Sequence, residues 1–246
     1  MGVSTLFSRF TGYLLRYGFS ATVHRAGVAV RRALFSGRMV LFYCDLHSQG
    51  RPIVGMPSSM NVERKRSEGE LSQQHLQEIT SFWNPALARR NIKERFRHRA
   101  VLWLIKSEGR LVGYGWTLQG HTVEPHYFRL APDDTHLFDF HVFPQYRGRG
   151  VNPLLVRYIL ASLAAESQGR AFIEAAEWNQ AQLASLRMTP FRRLGSARKF
   201  KLFGRTIVCW GVDKTPEQGQ KIRSTMRPTP RPAGTDPTSR SCKLES

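Results

Sequence analysis

Between residues 38 and 212, apolar residues alternate between two patterns: short β-prone runs, and stretches where they recur every three or four positions. "RMVLFYCDL" (38–46) reads as a strand. Ser67 and Glu70 stand at capping-box spacing, and Leu71, His75, Ile79 and Phe82 then share a helical face. "NPALARRNIKERFRHR" predicts a second, strongly basic helix with Pro85 in its first turn. "AVLWLIKSEGRLVGYGWTL" predicts a hairpin turning at "SEGR", and "HLFDFHVF" another strand. "GVNPLLVRYILASLAAESQG" follows as a helix, with Leu155, Ile159 and Leu163 four residues apart. "RAFIEAAE" is a strand, "NQAQLASLRMTPFRRLG" a helix broken near Pro190, and "ARKFKLFGRTIVCWGV" a last hairpin turning at Gly204. No internal repeat is visible.

The flanks differ. Residues 1–37 hold arginines, no acidic residue and an apolar stripe of Leu6, Phe7, Phe10, Leu14 and Tyr17. A basic amphipathic helix is expected there, weakened by Gly2, Gly12 and Gly18. Amphipathicity alone leaves two destinations open, the domain behind it or an anionic membrane surface. "MGVSTL" begins like a myristoylation site, but Leu6 stands where Ser or Thr is required. Residues 213–246 are rich in Pro, Gly, Ser and Thr and predict a flexible tail. Three regions result: 1–37, 38–212 and 213–246.

Charge narrows the partners. The 246 residues include 37 Lys and Arg against 18 Asp and Glu, a formal net charge of +19, with 41% hydrophobic residues to build a core. Such a balance favours anionic partners: nucleic acid, an anionic lipid surface or a phosphorylated ligand. No helix-turn-helix, zinc or RNP signature supports nucleic acid. Cys44, Cys209 and Cys242 are an odd, widely spaced set, which argues against a disulfide framework or a zinc site. With no run of about 18 apolar residues, the expectation is a cytoplasmic protein without a bound metal, in peripheral contact with membrane if residues 1–37 bind it.

The candidate chemistry lies in "HVFPQYRGRGVNPLL" (141–155), where a strand passes through a glycine turn into a helix. A helix N-terminus offers unpaired N–H groups and partial positive charge, and so attracts phosphate. Gly148 and Gly150 permit close approach and positive φ, and Arg147 and Arg149 add charge. A dinucleotide fingerprint would need glycine where Pro153 stands, and no Gly-Lys-Ser/Thr of a P-loop is present. By itself the turn is a pyrophosphate cradle of a third kind or only a turn.

The segment resembles the acyl-CoA-binding signature of the GNAT N-acetyltransferase superfamily, Arg/Gln-x-x-Gly-x-Gly/Ala, here Gln145, Gly148 and Gly150. Val142-Phe143-Pro144 is similar to the family's strand end. The hairpin around "SEGR" looks like its second and third strands, and "IEAAEWNQAQLASLRMTPFRRLG" like its fifth strand and fourth helix. The resemblance covers about residues 38–212. It implies an α/β fold whose mixed sheet, flanked by helices, splays between the fourth and fifth strands to admit the pantetheine arm. The loop from Gln145 through Tyr146, Arg147, Gly148 and Arg149 to Gly150 would hold the pyrophosphate. Val142 N–H would polarise the thioester, with Phe143 beside it and Asn179 at the splay.

The resemblance further implies direct transfer from acyl-CoA, most simply acetyl-CoA, to an amine acceptor. Asp139 matches a position where relatives often carry an acid. His141 follows on the same strand face unless a bulge intervenes, and Glu177 ends the next strand. Relatives often place a tyrosine on the fourth helix to protonate the leaving thiolate. Residues 180–194 contain none, which leaves Ser185 or water for that role. The basic residues 89–99 suggest a phosphate-bearing acceptor, such as a sugar linked to a nucleotide, or a solvated face. Trp83, Trp116 and Trp178 are candidate pocket walls. Two rivals stand beside the enzyme: a non-catalytic acyl-CoA-binding module and a basic nucleic-acid-binding protein.

Overall fold

The computed structural model describes residues 37–48, 55–81, 84–123, 126–166, 169–202 and 205–211. The expected N-terminal helix, the tail and the Gly204 turn lie outside the described residues. Within them are strands β1 (Arg38–Asp45), β2 (Met60–Lys65), β3 (Val101–Ser107), β4 (Arg110–Gln119), β5 (Thr135–Val142), β6 (Arg170–Ala176), β7 (Arg192–Leu202) and β8 (Arg205–Trp210). The helices are α1 (Gln73–Thr80), α2 (Pro85–Arg97), α3 (Val151–Glu166) and α4 (Gln180–Arg187).

The strands form one open sheet in the order β2-β3-β4-β5-β6-β1-β7-β8, with β5 and β6 parallel and the other pairs antiparallel. The expected mixed α/β architecture is therefore present. β1 is wedged between β6 and β7, a placement no local pattern announces. It is buried on both faces, which explains its continuous apolar run: Val40, Phe42 and Cys44 face one way, Leu41 and Tyr43 the other. α3 and α4 cover the first of these faces, packing Leu155, Ile159 and Leu186 onto Val112, Leu137 and Ile173. α1 and α2 cover the opposite face, where Leu76, Ile79 and Ile92 meet Leu102, Leu104 and Trp116. The segment between β4 and β5 closes the rest of that face with Tyr127, Phe128 and Leu130.

Two elements depart from expectation. β2 was not foreseen, because "MNVERK" is mostly polar; it is an outer strand pairing with β3, and Lys106 Nζ reaches Glu63 at 2.5 Å across the pair. The Ser67–Glu70 pair does not begin a long helix. Its side chains bond each other (3.0 Å) over a single 3₁₀ turn, and α1 starts later, where Ser72 Oγ accepts from His75 N (3.1 Å). Leu76 and Ile79 are buried in the core, Leu71 packs partly buried against the same cluster, His75 is half-buried, and Phe82 lies outside the described residues.

The parting of β5 and β6 shapes everything that follows. They pair over only three positions, Thr135↔Ala171 to Leu137↔Ile173. β5 then bulges: Asp139 takes φ +49°, and the register to β4 slips between Tyr114 and Trp116. Beyond the bulge β5 stays with β4 (Tyr114↔His141, Gly113↔Val142) while leaving β6, which opens a gap in the sheet. Gly113 is required for this path, since a Cβ there would lie 2.8 Å from the His141 carbonyl oxygen.

Candidate active site

On the α3/α4 side the gap is a cleft of about 630 Å³. Its floor is Phe140–Val142, one wall is the turn from Tyr146 into α3, and the other is α4. Hydrogen-bond alternation fixes which way Val142 points. Phe143 N donates to Val112 O (3.0 Å), so that cross-strand pair is bonded, and its neighbour Gly113/Val142 is a non-bonded pair. The Val142 N–H and C=O therefore both point away from β4, into the gap. Arg147 corroborates this orientation, because its Nε reaches around the turn to donate to Val142 O (3.1 Å).

The glycine turn has the backbone its sequence calls for. Gly148 and Gly150 sit at φ +77° and +73°, and a Cβ on either would meet nothing within 4 Å. Gly150 O accepts from Leu154 N (3.1 Å), which starts α3 directly behind the turn. The first N–H groups of α3 thus face the cleft that Gly148, Gly150, Val151 and Asn152 line.

Most of the anticipated cofactor residues converge here: Val142, Tyr146, Arg147, Gly148, Gly150 and Asn179 line the one cleft, together with His141 and Ser185. Phe143 does not; it is buried on the α1/α2 side, its ring near those of Tyr114 and His141. Gln145 lines a separate cavity of about 400 Å³ with Gln74 and Arg110. Arg149 is exposed, with its guanidinium 5.8 Å from the Tyr146 ring centroid. Asn179 caps α4, its Oδ1 accepting from Gln182 N (3.1 Å).

A smaller cavity of about 190 Å³ lies on the opposite face, between α2 and the sheet, lined by Asn84, Asn91, Arg95, Tyr114, Trp116 and Asp139. Arg95 Nη1 pairs with Asp139 Oδ2 at 2.5 Å and lies over the rings of Trp116 and Phe138. Arg95 is thus the basic α2 residue turned into the cavity; Arg89, Arg90, Lys93, Arg97 and Arg99 are exposed, a solvated face. His141 stands between the two spaces: it lines the large cleft and stacks, at 5.6 Å and 27°, on the Tyr114 that lines the small one. Burial holds the His141 imidazole below its ordinary pKa, the charge of Arg147 pushes the same way, and Asp139 opposes. The bulge brings Asp139 and His141 to the same side of the sheet by an irregular route, not by strict alternation.

Asn152, in the first turn of α3, was not anticipated. Its Nδ2 donates to Ser185 Oγ (2.8 Å), which leaves the serine hydroxyl hydrogen for another acceptor. Tyr114 was also missed, although its place between Gly113 and Gly115 was a readable sign of close packing: a Cβ on Gly115 would strike the Phe140 ring at 2.4 Å. Glu177 lines neither cavity and pairs with Arg38 (3.6 Å). Trp116 is a core residue as well as a cavity wall, Trp178 is half-buried, and Trp83 lies outside the described residues. Cys44 is buried, which pushes its thiol up to about 12 and makes it a poor nucleophile.

The profile of the acetyltransferase (GNAT) family matches residues 69–188. The chain thus carries a GNAT acetyltransferase domain over those residues, from the 3₁₀ turn before α1 to the end of α4. Solved structures similar to it include a GNAT-family acetyltransferase from Colwellia psychrerythraea (10% identity, TM-score 0.47, 71% of this chain and 55% of that one). Others are a tandem GNAT protein of the clavulanic acid biosynthesis pathway (15%, 0.46, 68% and 55%) and a GCN5-related N-acetyltransferase from Kribbella flavida (14%, 0.41, 67% and 59%). The chain spans between 55% and 61% of the length of the first structures it matches. No curated protein matches it by sequence. No helix among the described residues is long and apolar enough to cross a membrane.

Proposed function

We propose that this protein transfers an acetyl group from acetyl-CoA to the amine of a small acceptor, directly, in a ternary complex. The observation that carries the reading is the Val142 N–H, aimed into the β5/β6 gap at the end of a cleft that starts at a glycine turn on a helix N-terminus. In this reading the amides around Gly148–Asn152 hold the pyrophosphate. The pantetheine runs along β5, and Val142 N–H supports the oxyanion formed at the thioester carbonyl.

The acceptor enters from the smaller cavity, with its amine against Asp139. The amine nitrogen bonds to the carbonyl carbon, the C–S bond breaks, and the nitrogen's proton passes to neutral His141. The departing thiolate accepts a hydrogen bond from the Ser185 hydroxyl, whose oxygen takes the Asn152 amide, and draws its proton from water through that hydroxyl, while His141 returns its proton to solvent. A thiol pKa near 8.5 makes this last step an assistance rather than a requirement. Arg95, the basic residue turned into that cavity, favours an acceptor bearing phosphate or another anion.

The test is acetyl-CoA with the full chain and a panel of amino sugars, their phosphorylated and nucleotide-linked forms, polyamines and peptides. Thiol release is read alongside product mass. Acceptor-dependent thiol release, favouring phosphorylated amines, is expected. Acetyl-CoA binding without turnover on any member would favour the non-catalytic module.

Residues 1–37 are proposed to bring the protein to anionic lipid, each basic residue near the surface adding about 1 kcal/mol. Deleting residues 1–20 should abolish co-sedimentation with phosphatidylserine vesicles and leave acetyl-CoA affinity unchanged. A full-length protein that ignores vesicles, and a truncated one that melts earlier, would show instead that the segment packs on the domain.

A further inference from the structure

Between the two apolar clusters on the α1/α2 face lies a polar nest outside both cavities. His136 on β5 places Nε2 2.8 Å from Glu174 Oε2 on β6. His126, from the segment joining β4 to β5, leans over them with its ring centroid 4.8 Å from that of His136. One ligand atom from each of the three residues falls within 4.8 Å of the others. His126 Nε2 is buried with no hydrogen-bond partner among the described residues, and the His136 side chain is only 8% exposed. Unsatisfied buried nitrogens destabilise a fold unless something engages them.

We propose that His126, His136 and Glu174 form a binding site for a divalent metal ion of the zinc class. Two imidazoles and one carboxylate are a common donor set for zinc, with a fourth position left to water. Such ligands stand about 2.0–2.2 Å from the ion, so the three donors need close only modestly from their present spread. The step balances without a net proton acceptor. Glu174 accepts from His136 Nε2–H (2.8 Å). On binding, water takes the Nε2 hydrogen and returns one to Nδ1, so the ring stays neutral with no net proton released, and the Nε2 lone pair turns to the ion. Lys199, with Nζ 4.5 Å from the Tyr127 ring centroid, adds positive charge at the edge of the nest. The two nitrogen donors, rather than that charge, favour zinc over magnesium.

The location gives the site a consequence. His136 and Glu174 lie on the last stretch where β5 and β6 run together, beside the final pair Leu137↔Ile173. His126 belongs to the segment that seals the neighbouring cluster of Tyr127, Phe128 and Phe172. A bound ion ties that segment to both strands immediately before they part, and so anchors the base of the gap.

The experiment uses the full chain, without a histidine tag and stripped with chelator. It is titrated with zinc by calorimetry and with cobalt by visible absorption, in parallel with His126→Gln and Glu174→Gln. Expected are one equivalent bound by the wild type, a rise in Tm with zinc concentration, and affinity at least tenfold weaker in both variants. Circular dichroism of the metal-free proteins checks that all three are folded; should Glu174→Gln fail to fold, His126→Gln, altered outside the sheet, decides alone. Absence of stoichiometric binding by the wild type would overturn the proposal. So would binding that survives unchanged in folded His126→Gln, which would place the ion on other histidines.

Discussion

Gly148→Glu is expected to eliminate measurable acetyl-CoA binding, with an affinity loss of at least 100-fold, or about 3 kcal/mol. Two effects act together. Residue 148 sits at φ +77°, where a side chain costs about 1 kcal/mol or more. The new carboxylate also stands at the helix N-terminus proposed to hold pyrophosphate, so it competes for the same amides and repels the same ligand. The fold should survive, because a Cβ at this position meets nothing within 4 Å. Gly148→Ala separates the two effects: it carries the backbone strain without the charge and should weaken binding only severalfold. Calorimetry with acetyl-CoA on both variants reads the difference. Equal, near-native affinity in the two would dismiss the cradle.

The second large effect concerns proton removal. His141→Gln should lower the chemical step by about 10² to 10⁴-fold, the usual contribution of a general base, with acetyl-CoA affinity unchanged. The sign of its pH dependence follows from the burial of the imidazole. Neutral His141 is the active form, and its pKa in the fold lies below the ordinary 6.5. Wild-type kcat/KM should therefore hold steady as pH falls toward 6.5 and decline only below it, and the variant should lack that acid limb. Asp139→Asn should cut turnover by about 10²-fold yet keep the limb, since it loosens the ion pair with Arg95 and the grip on the amine while leaving the imidazole in place. An acid limb that persists in His141→Gln would take the base role away from this residue.

Local pattern carried most of the fold's elements but not their arrangement. The buried strands were legible from their continuous apolar runs, α3 from its four-residue period, and the "SEGR" hairpin from two β-rich runs around a short turn, where Glu108 and Gly109 both take positive φ. β2 was illegible because an outer strand with one solvated face needs few apolar residues. The insertion of β1 between β6 and β7 is set by long-range packing that no window of sequence contains. The cleft followed the same division. Gly148 and Gly150 announced themselves, since only a demanding backbone uses glycine at that spacing before a helix. Asn152 did not, because nothing local marks a polar residue whose partner, Ser185, is 33 positions away. The bulge at Asp139 was invisible in "LFDFHV", whose alternation reads as regular, yet it turns that carboxylate toward Arg95. The His126–His136–Glu174 nest escaped for a related reason: its members have no metal-ligand spacing and meet only through the pairing of β5 with β6 and the path of the segment before β5.

The central claim is that acyl-CoA occupies the gap between β5 and β6 with its pyrophosphate at the glycine turn. Amide ¹H–¹⁵N spectra of the labelled full chain during titration with acetyl-CoA, and separately with coenzyme A, test it most directly. The account predicts saturable shifts at the amides of Gly148, Arg149, Gly150, Val151 and Asn152 with either ligand, and at Val142 a further change that depends on the acetyl group. Saturable shifts confined to other parts of the molecule, or none at ligand concentrations in the millimolar range, would contradict it.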